Sequence, residues 1–281
     1  MRDLFHSEKS SDRAIILNKG WSDKSSLGVR RFVVFFESYL KEFHEVHCIH
    51  STNPFILYRK NLVVEPVHAF SLLSFRRHIV VHDMISYRWY SGILRKTILK
   101  VFYTIGFAVT EKIYCFTKVE KRFLEKHFFV KPNKVNILRP SYPIPQLNVK
   151  QKDYWLLITN SRRHKGNQEV IEVFNMGELS SQKLIVLGLK MLDTKNIQFI
   201  SSVTDEEYFD LVGSCRGIIS NSYDEGFNLP IYDGVKMRKI VVARNLEIYE
   251  ELYGDAITYY EDIKDLVRLL ISDIANQNGN R

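Results

Sequence analysis

Short apolar runs alternate with longer stretches in which an apolar residue recurs every three or four positions. The short runs are rich in Val and Ile, which favours buried β-strands, and the spacing in the longer stretches is typical of amphipathic helices. This alternation predicts βα units with parallel sheets. The predicted strands are Ala14–Leu17, Val46–Ile49, Leu62–Val64, Ile79–His82, Ile113–Phe116, Val135–Leu138, Trp155–Thr159, Lys183–Leu187, Ile197–Ile200, Gly217–Ser220 and Ile240–Ala243.

The helices predicted from the same periodicity follow most of these strands. One of them has a clear start, because Thr204 precedes three acidic residues. A threonine hydroxyl can cap the first amides of a helix, and acidic side chains suit its positive end. The predicted helices are Gly28–Glu42, Lys118–Lys126, Gln168–Asn175, Asp205–Val212 and Ile263–Ile274.

A proline-rich segment, Arg139–Lys152, interrupts the alternation. It holds Pro140, Pro143 and Pro145, three of the seven prolines in the chain. Proline removes backbone donors and disfavours helix in the residue before it, so this segment is predicted to be an extended connector. We therefore predict two doubly wound domains, residues 1–145 and 146–281, which would bind a ligand at the carboxyl ends of their strands.

Composition narrows the class of protein. Apolar residues make up 45% of the 281 residues and charged residues 26%, as in ordinary globular proteins. We find no apolar run of 18 residues and no apolar signal within Met1–Gly20, so a cytoplasmic protein is predicted. The three cysteines, Cys48, Cys115 and Cys215, lack metal-ligand spacing, which predicts reduced, buried thiols and no metal site.

The positive charge is concentrated in one half. Residues 1–145 contain 24 Lys and Arg against 12 Asp and Glu, a net of +12, whereas residues 146–281 contain 16 against 20, a net of −4. Such asymmetry indicates an anionic partner for the N-terminal half. Nucleic acid, a phospholipid surface and a phosphorylated substrate all fit this charge.

The segment that carries the most chemical information follows the predicted strand Gly217–Ser220. A polar turn leads to a helix that begins at Leu229 or Pro230, where proline is well tolerated. The amides of Phe227–Leu229 would then face an anion, with the helix dipole behind them. Two carboxylates, Glu225 and Asp233, flank this helix start eight positions apart.

The stretch Glu225-Gly-Phe-Asn-Leu-Pro-Ile-Tyr-Asp233 resembles the E-G-F-G-L-P-x-x-E signature of retaining glycosyltransferases of family 4. That family has the GT-B fold, in which two Rossmann-like domains face each other across a cleft. The resemblance implies a catalytic role for Glu225 at the donor sugar and ribose contacts for Asp233. It also implies donor-diphosphate contacts for Phe227, Asn228 and Leu229. Asn228 stands where the family usually has glycine, and Asp233 where it has glutamate.

A second segment, Trp155–Glu169, resembles the strand and the G-R and K-G residues of the same family, with a shortened loop. The match assigns Arg162 and Lys165 to the donor diphosphate, with Arg163 as a rival for Arg162. The chemistry requires cations there, because the leaving nucleoside diphosphate gains negative charge as the glycosidic bond breaks. Two side chains and a helix start can supply them, so neither a metal nor another cofactor is expected.

Two further matches lie in the N-terminal half. His82-Asp83, at the end of a predicted strand, is similar to the H-D of many family members, in which the histidine faces the donor across the cleft. The alternative for His82 is a structural residue with its bonds satisfied. Gly28, within Ser26–Arg31, resembles the survivor of the glycine pair that opens the family's first helix.

A basic amphipathic helix is predicted within Tyr87–Phe107. Two interpretations stay open: it lies on an anionic bilayer, or it packs on the N-terminal sheet with its charges in water. At 100° per residue an apolar side forms from Tyr90, Leu94, Ile98, Val101, Phe102 and Ile105. The other side carries Arg88, Arg95, Lys96 and Lys100, with Trp89 and Phe107 among them.

These observations together predict a retaining transferase that moves a hexose from a nucleotide diphosphate sugar to a glycan or lipid-linked acceptor. The resemblance implies cell-surface polysaccharide or lipopolysaccharide synthesis, at the inner face of the membrane. A nucleic-acid-binding or DNA-modifying protein is the alternative that the basic half suggests, although the aromatic residues alternate like core positions rather than a stacking platform. The departures at Asn228 and Asp233 suggest another alternative, a catalytically weak relative that acts as a binding subunit.

Overall fold

A computed structural model describes residues 15–19, 27–42, 44–50, 63–65, 77–89, 92–141, 143–145, 149–176 and 178–279. The chain divides into two units, Met1–Tyr142 and Pro143–Arg281. The division falls inside the proline-rich segment Arg139–Lys152. Each unit is built on its own parallel sheet.

The described part of unit 1 (Met1–Tyr142) contains a six-stranded sheet with the order β2-β1-β3-β4-β5-β6. Every strand pair in it is parallel. The strands are β1 (Ile15–Asn18), β2 (Val46–Ile49), β3 (Val63–Glu65), β4 (Arg77–Val81), β5 (Lys112–Cys115) and β6 (Val135–Ile137). The helices are α1 (Leu27–Lys41), α2 (Ile85–Arg88), α3 (Ile93–Val109) and α4 (Lys118–Phe128).

The described part of unit 2 (Pro143–Arg281) contains a parallel sheet with the order β12-β11-β10-β7-β8-β9. The strands are β7 (Trp155–Ile158), β8 (Leu184–Leu187), β9 (Ile197–Ile200), β10 (Gly217–Ser220), β11 (Ile240–Arg244) and β12 (Thr258–Tyr260). This is the Rossmann order, which reverses direction between β7 and β10 and leaves a crevice at their carboxyl ends. The helices are α5 (Asn167–Met176), α6 (Asp205–Ser214), α7 (Leu229–Lys236), α8 (Glu247–Tyr253) and α9 (Ile263–Gly279).

The apolar strands of unit 2 are buried because helices cover the sheet. Trp155 of β7 and Ile219 of β10 pack in one cluster with Val170 and Phe174 of α5. Leu270 of α9 belongs to the same cluster. This burial on both faces explains why the strands have near-continuous apolar sequences rather than alternating ones.

The core of unit 1 includes one buried arginine. All five residues of β4 are buried, and its first residue, Arg77, has no exposed surface. The Arg77 guanidinium donates to the Gly106 carbonyl at 3.0 Å and to the Thr110 hydroxyl at 2.7 Å. These bonds tie the start of β4 to the C-terminal end of α3.

Most predicted elements are confirmed within two residues at each end. The predicted strand ends Ala14 and Leu62 lie outside the described residues. The sequence analysis missed β12 and α8, which are three and seven residues long. It also predicted one basic helix where the structure has α2 and α3, separated near Gly92, whose φ of 110° is incompatible with a continuing helix.

The orientation of α3 contradicts one of the two interpretations, that its apolar side packs on the N-terminal sheet, whereas the bilayer interpretation stays a prediction. The apolar residues do share a face, but Leu94, Ile98 and Ile105 are exposed. The helix packs on the core through the opposite face, where Tyr103 and Phe107 are buried. Phe107, which was assigned to the charged side, is 1% exposed. The large aromatic rings bury more area than the aliphatic residues, which favours this orientation.

The predicted start of α6 is confirmed. The Thr204 hydroxyl accepts from the Glu207 amide at 3.2 Å, and the Glu207 carboxylate accepts from the Thr204 amide at 2.8 Å. These two reciprocal bonds form a capping box.

The cysteines are free, and Cys115 and Cys215 are buried as predicted. Cys48 is only half-buried, so the prediction of burial is wrong there. Burial raises the pKa of Cys215 to about 12. Within the described ranges, His, Cys, Asp and Glu form no cluster of three that could hold a metal ion. No helix in the same ranges is both long and apolar enough to cross a membrane.

Candidate donor-binding site

The two segments that resembled glycosyltransferase motifs lie side by side in unit 2. The first follows β7 and contains a short 3-10 turn, Arg163–Lys165. The second follows β10 and leads into α7. Because β7 pairs directly with β10, both segments leave the sheet at the carboxyl ends of adjacent strands, where the strand order reverses. This is the position at which Rossmann-like sheets bind ligands.

Lys165 and Glu225 are in contact at this position. The Lys165 ammonium donates to Glu225 Oε1. The same oxygen accepts from the Ser222 hydroxyl at 2.6 Å and from the side-chain nitrogen of Asn228 at 3.3 Å. Glu225 is 7% exposed, so these three donors fix the direction of a nearly buried carboxylate.

Gly166 determines the path of the loop that carries Lys165. Its φ is 57°, in the left-handed region that glycine adopts without steric cost. A Cβ atom at this position would lie 2.6 Å from the Asn221 carbonyl oxygen. The lysine-glycine pair therefore lets the first loop pass close to the backbone of the second, which brings Lys165 within reach of Glu225.

Asn228 takes the place of the usual glycine and retains its backbone conformation. Its φ is 59°, and asparagine tolerates this region better than other residues with a side chain. Its side-chain oxygen accepts from the Ile231 amide at 3.3 Å and so caps α7. Its side-chain nitrogen donates to the Tyr249 hydroxyl at 2.7 Å and to the Ser220 hydroxyl at 3.0 Å.

Two tyrosines of α8 hold the loop before α7. The Tyr253 hydroxyl donates to the carbonyl of Phe227 at 2.7 Å, and Tyr249 meets the Asn228 side chain. Burial raises the pKa of Tyr249 well above its ordinary value, and the nearby Glu225 charge acts in the same direction. The sequence analysis missed both residues. Their spacing of four, which places them on one face of a helix, is the signal that could have found them.

The predicted anion contacts of the Phe227–Leu229 amides stay a prediction, and the start of α7 limits which helical amides can add to them. Pro230 has no amide hydrogen, and the Ile231 amide is capped by Asn228. Of the first three helical residues, Leu229 is left as the one whose amide can bind a ligand. Phe227 is 9% exposed, and its ring packs against Tyr232 at 5.5 Å between centroids.

Asp233 lies inside unit 2. It has no exposed surface, and its Oδ2 accepts from the Tyr208 hydroxyl at 2.7 Å. Tyr208 belongs to α6, so this bond joins α6 to α7. The predicted ribose contact of Asp233 stays a prediction, and it requires a ribose hydroxyl to reach a buried carboxylate.

Arg162 and Arg163 are exposed on the loop after β7, which also carries Lys165. The Arg162 amide donates to the Asn160 side chain at 3.0 Å, which bends the loop. Both side chains are therefore accessible to an anion that approaches this loop.

A further cation, Arg244, was not found from the sequence. It pairs with Glu169 at 2.9 Å, donates to the Asn221 side chain at 2.9 Å and stacks 4.3 Å above the Tyr223 ring. Burial by itself would raise the pKa of Glu169, but hydrogen bonds from Tyr223 and Asn221 and the Arg244 charge outweigh it, so this pKa is lowered. The network joins α5, the loop after β10 and the last residue of β11.

His164 is the buried middle residue of the turn Arg163–Lys165. It is 4% exposed, and its carbonyl accepts from the Tyr223 amide at 2.7 Å. Burial lowers the pKa of His164, and the neighbouring Lys165 charge lowers it further. The buried imidazole of His164 is therefore favoured in its neutral form.

In unit 1, His82 directly follows β4. Its ring meets Phe32 of α1 edge-on at 4.8 Å and Phe116 at 4.9 Å between centroids. The neighbouring Asp83 carboxylate accepts from the Ile85 amide at 3.0 Å and so starts α2. Gly28 lies in the first turn of α1, one turn before Phe32. His82 thus borders the N-terminal part of α1, which contains Gly28.

No family model and no curated protein matches this sequence. Solved structures do match. Over 94% of this chain and 90% of the other, it is similar to a sucrose-phosphate synthase from Thermosynechococcus elongatus, with 12% identity and a TM-score of 0.67. WaaG, a glycosyltransferase involved in lipopolysaccharide biosynthesis, matches with 14% identity and a TM-score of 0.65 over 92% and 89%. A glycosyltransferase from Rickettsia africae ESF-5 matches with 13% identity and a TM-score of 0.58 over 95% and 89%.

The chain has the GT-B fold. The predicted fold class is therefore confirmed, and each unit is one of the two Rossmann-like units of that fold. At identities of 12 to 14% the likeness establishes the fold and nothing finer. The assignment to family 4 and the roles of single residues stay predictions.

Unit 2 brings together Lys165, Glu225 and Asn228 in one hydrogen-bonded group. Arg162 lies on the same loop as Lys165, whereas Asp233 is turned inward to Tyr208. The group also contains Ser222 and Tyr249, which no sequence motif indicated.

Proposed function

We propose that this chain is a retaining glycosyltransferase that moves a hexose from a nucleotide diphosphate sugar to a glycan or lipid-linked acceptor. The observation that carries the proposal is the contact between Lys165 and Glu225. It joins two short motifs that are 60 residues apart at the carboxyl ends of two adjacent strands. A buried carboxylate and a cation held together at this point suit a ligand that has both a sugar and a diphosphate.

The diphosphate would bind at the loop after β7. Lys165 lies on this loop and would contact the diphosphate directly, and the exposed Arg162 lies on the same loop. The Leu229 amide at the start of α7 adds a donor with the helix dipole behind it. These groups stabilise the charge that develops on the leaving nucleoside diphosphate, so we propose a reaction that needs no metal ion.

Glu225 would bind the donor sugar. Its Oε1 already accepts three donors, so a sugar hydroxyl would bond to the other carboxylate oxygen. We also propose a catalytic role for His82 and a ribose contact for Asp233, whose carboxylate is buried in the structure. We propose accordingly that unit 2 binds the nucleotide sugar and unit 1 the acceptor.

The acceptor class rests on two considerations. The basic N-terminal half suits an anionic, lipid-linked molecule or the membrane that holds it. WaaG, whose fold this chain shares, is involved in lipopolysaccharide biosynthesis. We therefore propose synthesis of a cell-surface polysaccharide or lipopolysaccharide at the cytoplasmic face of the membrane.

The test begins with donor binding. Thermal unfolding is followed with UDP-, GDP-, ADP- and dTDP-sugars, each alone. A true donor present at 100 times its Kd should raise the Tm by roughly 5–10 °C, because it binds only the folded chain. If no nucleotide sugar raises the Tm, the proposal fails.

The second stage measures the reaction. The selected donor is incubated with lipid-linked and lipopolysaccharide-core acceptors, and the anomeric configuration of the product is determined by NMR. Retention of the donor configuration supports the proposal, whereas inversion contradicts it. Donor binding without transfer to any acceptor would instead favour a binding subunit.

A further inference from the structure

Tyr249 of α8 is a buried tyrosine whose hydroxyl group contacts the residues around Glu225. It has no exposed surface. Its Oη accepts from the Asn228 side-chain nitrogen at 2.7 Å and lies 3.3 Å from the Ser220 hydroxyl. Because Tyr249 does not reach the surface, it can influence a ligand only through the side chains that it contacts.

The Tyr249 hydroxyl supports two of the three donors that bind Glu225 Oε1. Those two are the Ser222 hydroxyl, at 2.6 Å, and the Asn228 side-chain nitrogen, at 3.3 Å. Burial raises the pKa of Tyr249, and hydrogen bonds with Ser220, Asn228 and Ser222 oppose that rise. One hydroxyl group therefore meets both Ser222 and Asn228, whereas the third donor, Lys165, comes from the loop after β7.

The side-chain amide of Asn228 has more acceptors around it than it has hydrogens. Its nitrogen carries two hydrogens, and it lies 2.7 Å from Tyr249 Oη, 3.0 Å from Ser220 Oγ and 3.3 Å from Glu225 Oε1. The shortest of these contacts is the one with Tyr249, so it contributes most to the orientation of the amide. Without that hydroxyl the amide can turn toward Ser220, and its contact with Glu225 loses its fixed geometry.

The orientation of the Glu225 carboxylate decides where its second oxygen points. The final torsion of a glutamate side chain is broad, so hydrogen bonds rather than rotamer preference must fix the carboxylate plane. In the part of the chain that the structure describes, these bonds end on Oε1. Oε2 is the oxygen that a sugar hydroxyl would use, and its direction depends on the donors that hold Oε1.

The geometry points to Tyr249 as a positioning residue for the donor sugar. Tyr249 orients Ser222 and Asn228, and these two side chains hold the carboxylate of Glu225 toward the sugar. The inference rests on the proposed transferase function, because it requires Glu225 to meet a nucleotide-linked sugar. Its consequence is selective: Tyr249 should affect binding of the sugar part of the donor and leave binding of the diphosphate unchanged.

The test compares two ligands on the Tyr249→Phe variant, in which the buried ring stays and only the hydroxyl is removed. The ligands are the nucleotide sugar selected by thermal shift and the nucleoside diphosphate of the same base, and isothermal titration calorimetry gives both Kd values. The Kd of the nucleotide sugar should rise about tenfold, the effect of weakening one hydrogen bond to a charged group. The Kd of the nucleoside diphosphate should change by less than about twofold.

A second comparison asks whether Tyr249 acts through Glu225. A positioning residue has no further effect once the residue that it positions has lost its function. Adding Tyr249→Phe to Glu225→Gln should therefore change the Kd of the nucleotide sugar by less than about twofold. A further tenfold weakening in the double variant would show that Tyr249 acts independently of Glu225, and it would overturn the inference.

Tyr154 provides a matched control. It is 6% exposed, and its hydroxyl donates to the Leu211 carbonyl at 2.8 Å and lies 3.1 Å from the Ser214 hydroxyl. It directly precedes β7, at the opposite end of the sheet from Glu225. Tyr154→Phe should lose a similar amount of stability and leave both Kd values unchanged. Weaker binding of the nucleotide sugar in both tyrosine variants would assign the effect to stability and contradict the role of Tyr249.

Failure of this inference is distinguishable from failure of the proposed function. If the unsubstituted chain binds no nucleotide sugar, the proposed function fails and the role of Tyr249 fails with it. If the unsubstituted chain binds the nucleotide sugar and Tyr249→Phe binds it equally well, only the role of Tyr249 fails. Equal weakening of both ligands would also overturn the inference, because Tyr249 would then support the whole loop rather than the carboxylate of Glu225.

Discussion

The Lys165 ammonium donates to Glu225 Oε1, although the two residues lie on different loops after different strands. Both Glu225→Gln and Lys165→Met should therefore reduce sugar transfer while the fold survives. The loss should be roughly 100-fold to 1000-fold in kcat, the range seen when one preorganised charge or donor is removed. The measurement is kcat with the donor selected by thermal shift, beside far-UV circular dichroism.

The matched controls for this pair are Glu178→Gln and Lys264→Met, which change exposed residues of unit 2 in the same way. Both should retain full turnover. A Glu225→Gln protein as active as the unsubstituted chain would remove Glu225 from the site.

Asn228 should tolerate glycine better than alanine. Both substitutions remove the side-chain bonds to Ile231 and Tyr249, but only alanine must adopt a φ of 59° with a Cβ atom. Asn228→Ala should therefore be about 1–2 kcal/mol less stable than Asn228→Gly. The free energy of unfolding from denaturant titration measures the difference.

Arg238 is the control for this backbone effect, since it has a φ of 55° and an exposed side chain. Its alanine and glycine variants should show a similar difference in stability with turnover unchanged. Equal stabilities for the two Asn228 variants would show that the loop adopts another conformation.

Tyr253→Phe should lower turnover by about tenfold. The Tyr253 hydroxyl bonds to the carbonyls of Phe227 and Asn228, and without it the loop beside Glu225 loses its support from α8. The control is Tyr259→Phe, which also removes two bonds to backbone carbonyls, those of Tyr249 and Gly254. Each variant should lose about 1 kcal/mol of stability, but only Tyr253→Phe should lose kcat. Equal activities would make Tyr253 a structural residue only.

His82→Phe separates the two roles considered for this histidine. Phenylalanine keeps an aromatic ring between Phe32 and Phe116 but lacks both ring nitrogens. If His82 acts on the donor, kcat falls by 100-fold or more while the Tm changes by less than about 4 °C, as expected for a change near 1 kcal/mol. Full activity together with an unchanged Tm would assign His82 to packing alone.

The buried His164 predicts a loss of stability in mild acid. Its pKa is lowered in the folded chain by burial, so in the unfolded chain the imidazole takes up a proton more readily, near pH 6.5. The contribution of His164 is therefore complete above about pH 6.5 and is lost as the pH falls below it. Thermal unfolding from pH 7.5 to 5 should show a smaller decrease in Tm for His164→Gln than for the unsubstituted chain. Parallel curves would contradict this assignment.

Local patterns were sufficient to predict most of the fold. Runs of Val and Ile predicted eleven strands because a strand buried on both faces needs apolar residues at consecutive positions. The missed β12 has the sequence Thr-Tyr-Tyr, too short and too polar to stand out. The missed α8 is seven residues long, too short to show a helical period. Gly28, Arg162, Phe227, Leu229 and Asp233 were named from motif resemblance, and their roles await the experiments.

By itself the sequence determined the order of strands and helices, the proline-rich connector and the positions of the short motifs, because these depend on neighbours a few residues apart. Only the tertiary structure decided which side chains meet. It turned the aromatic face of α3 inward, where periodicity identified an apolar side but not its partner. It also placed Tyr249 against Asn228, enclosed Asp233 behind Tyr208 and joined Lys165 to Glu225. Such contacts depend on strand order and on burial, which no local pattern encodes.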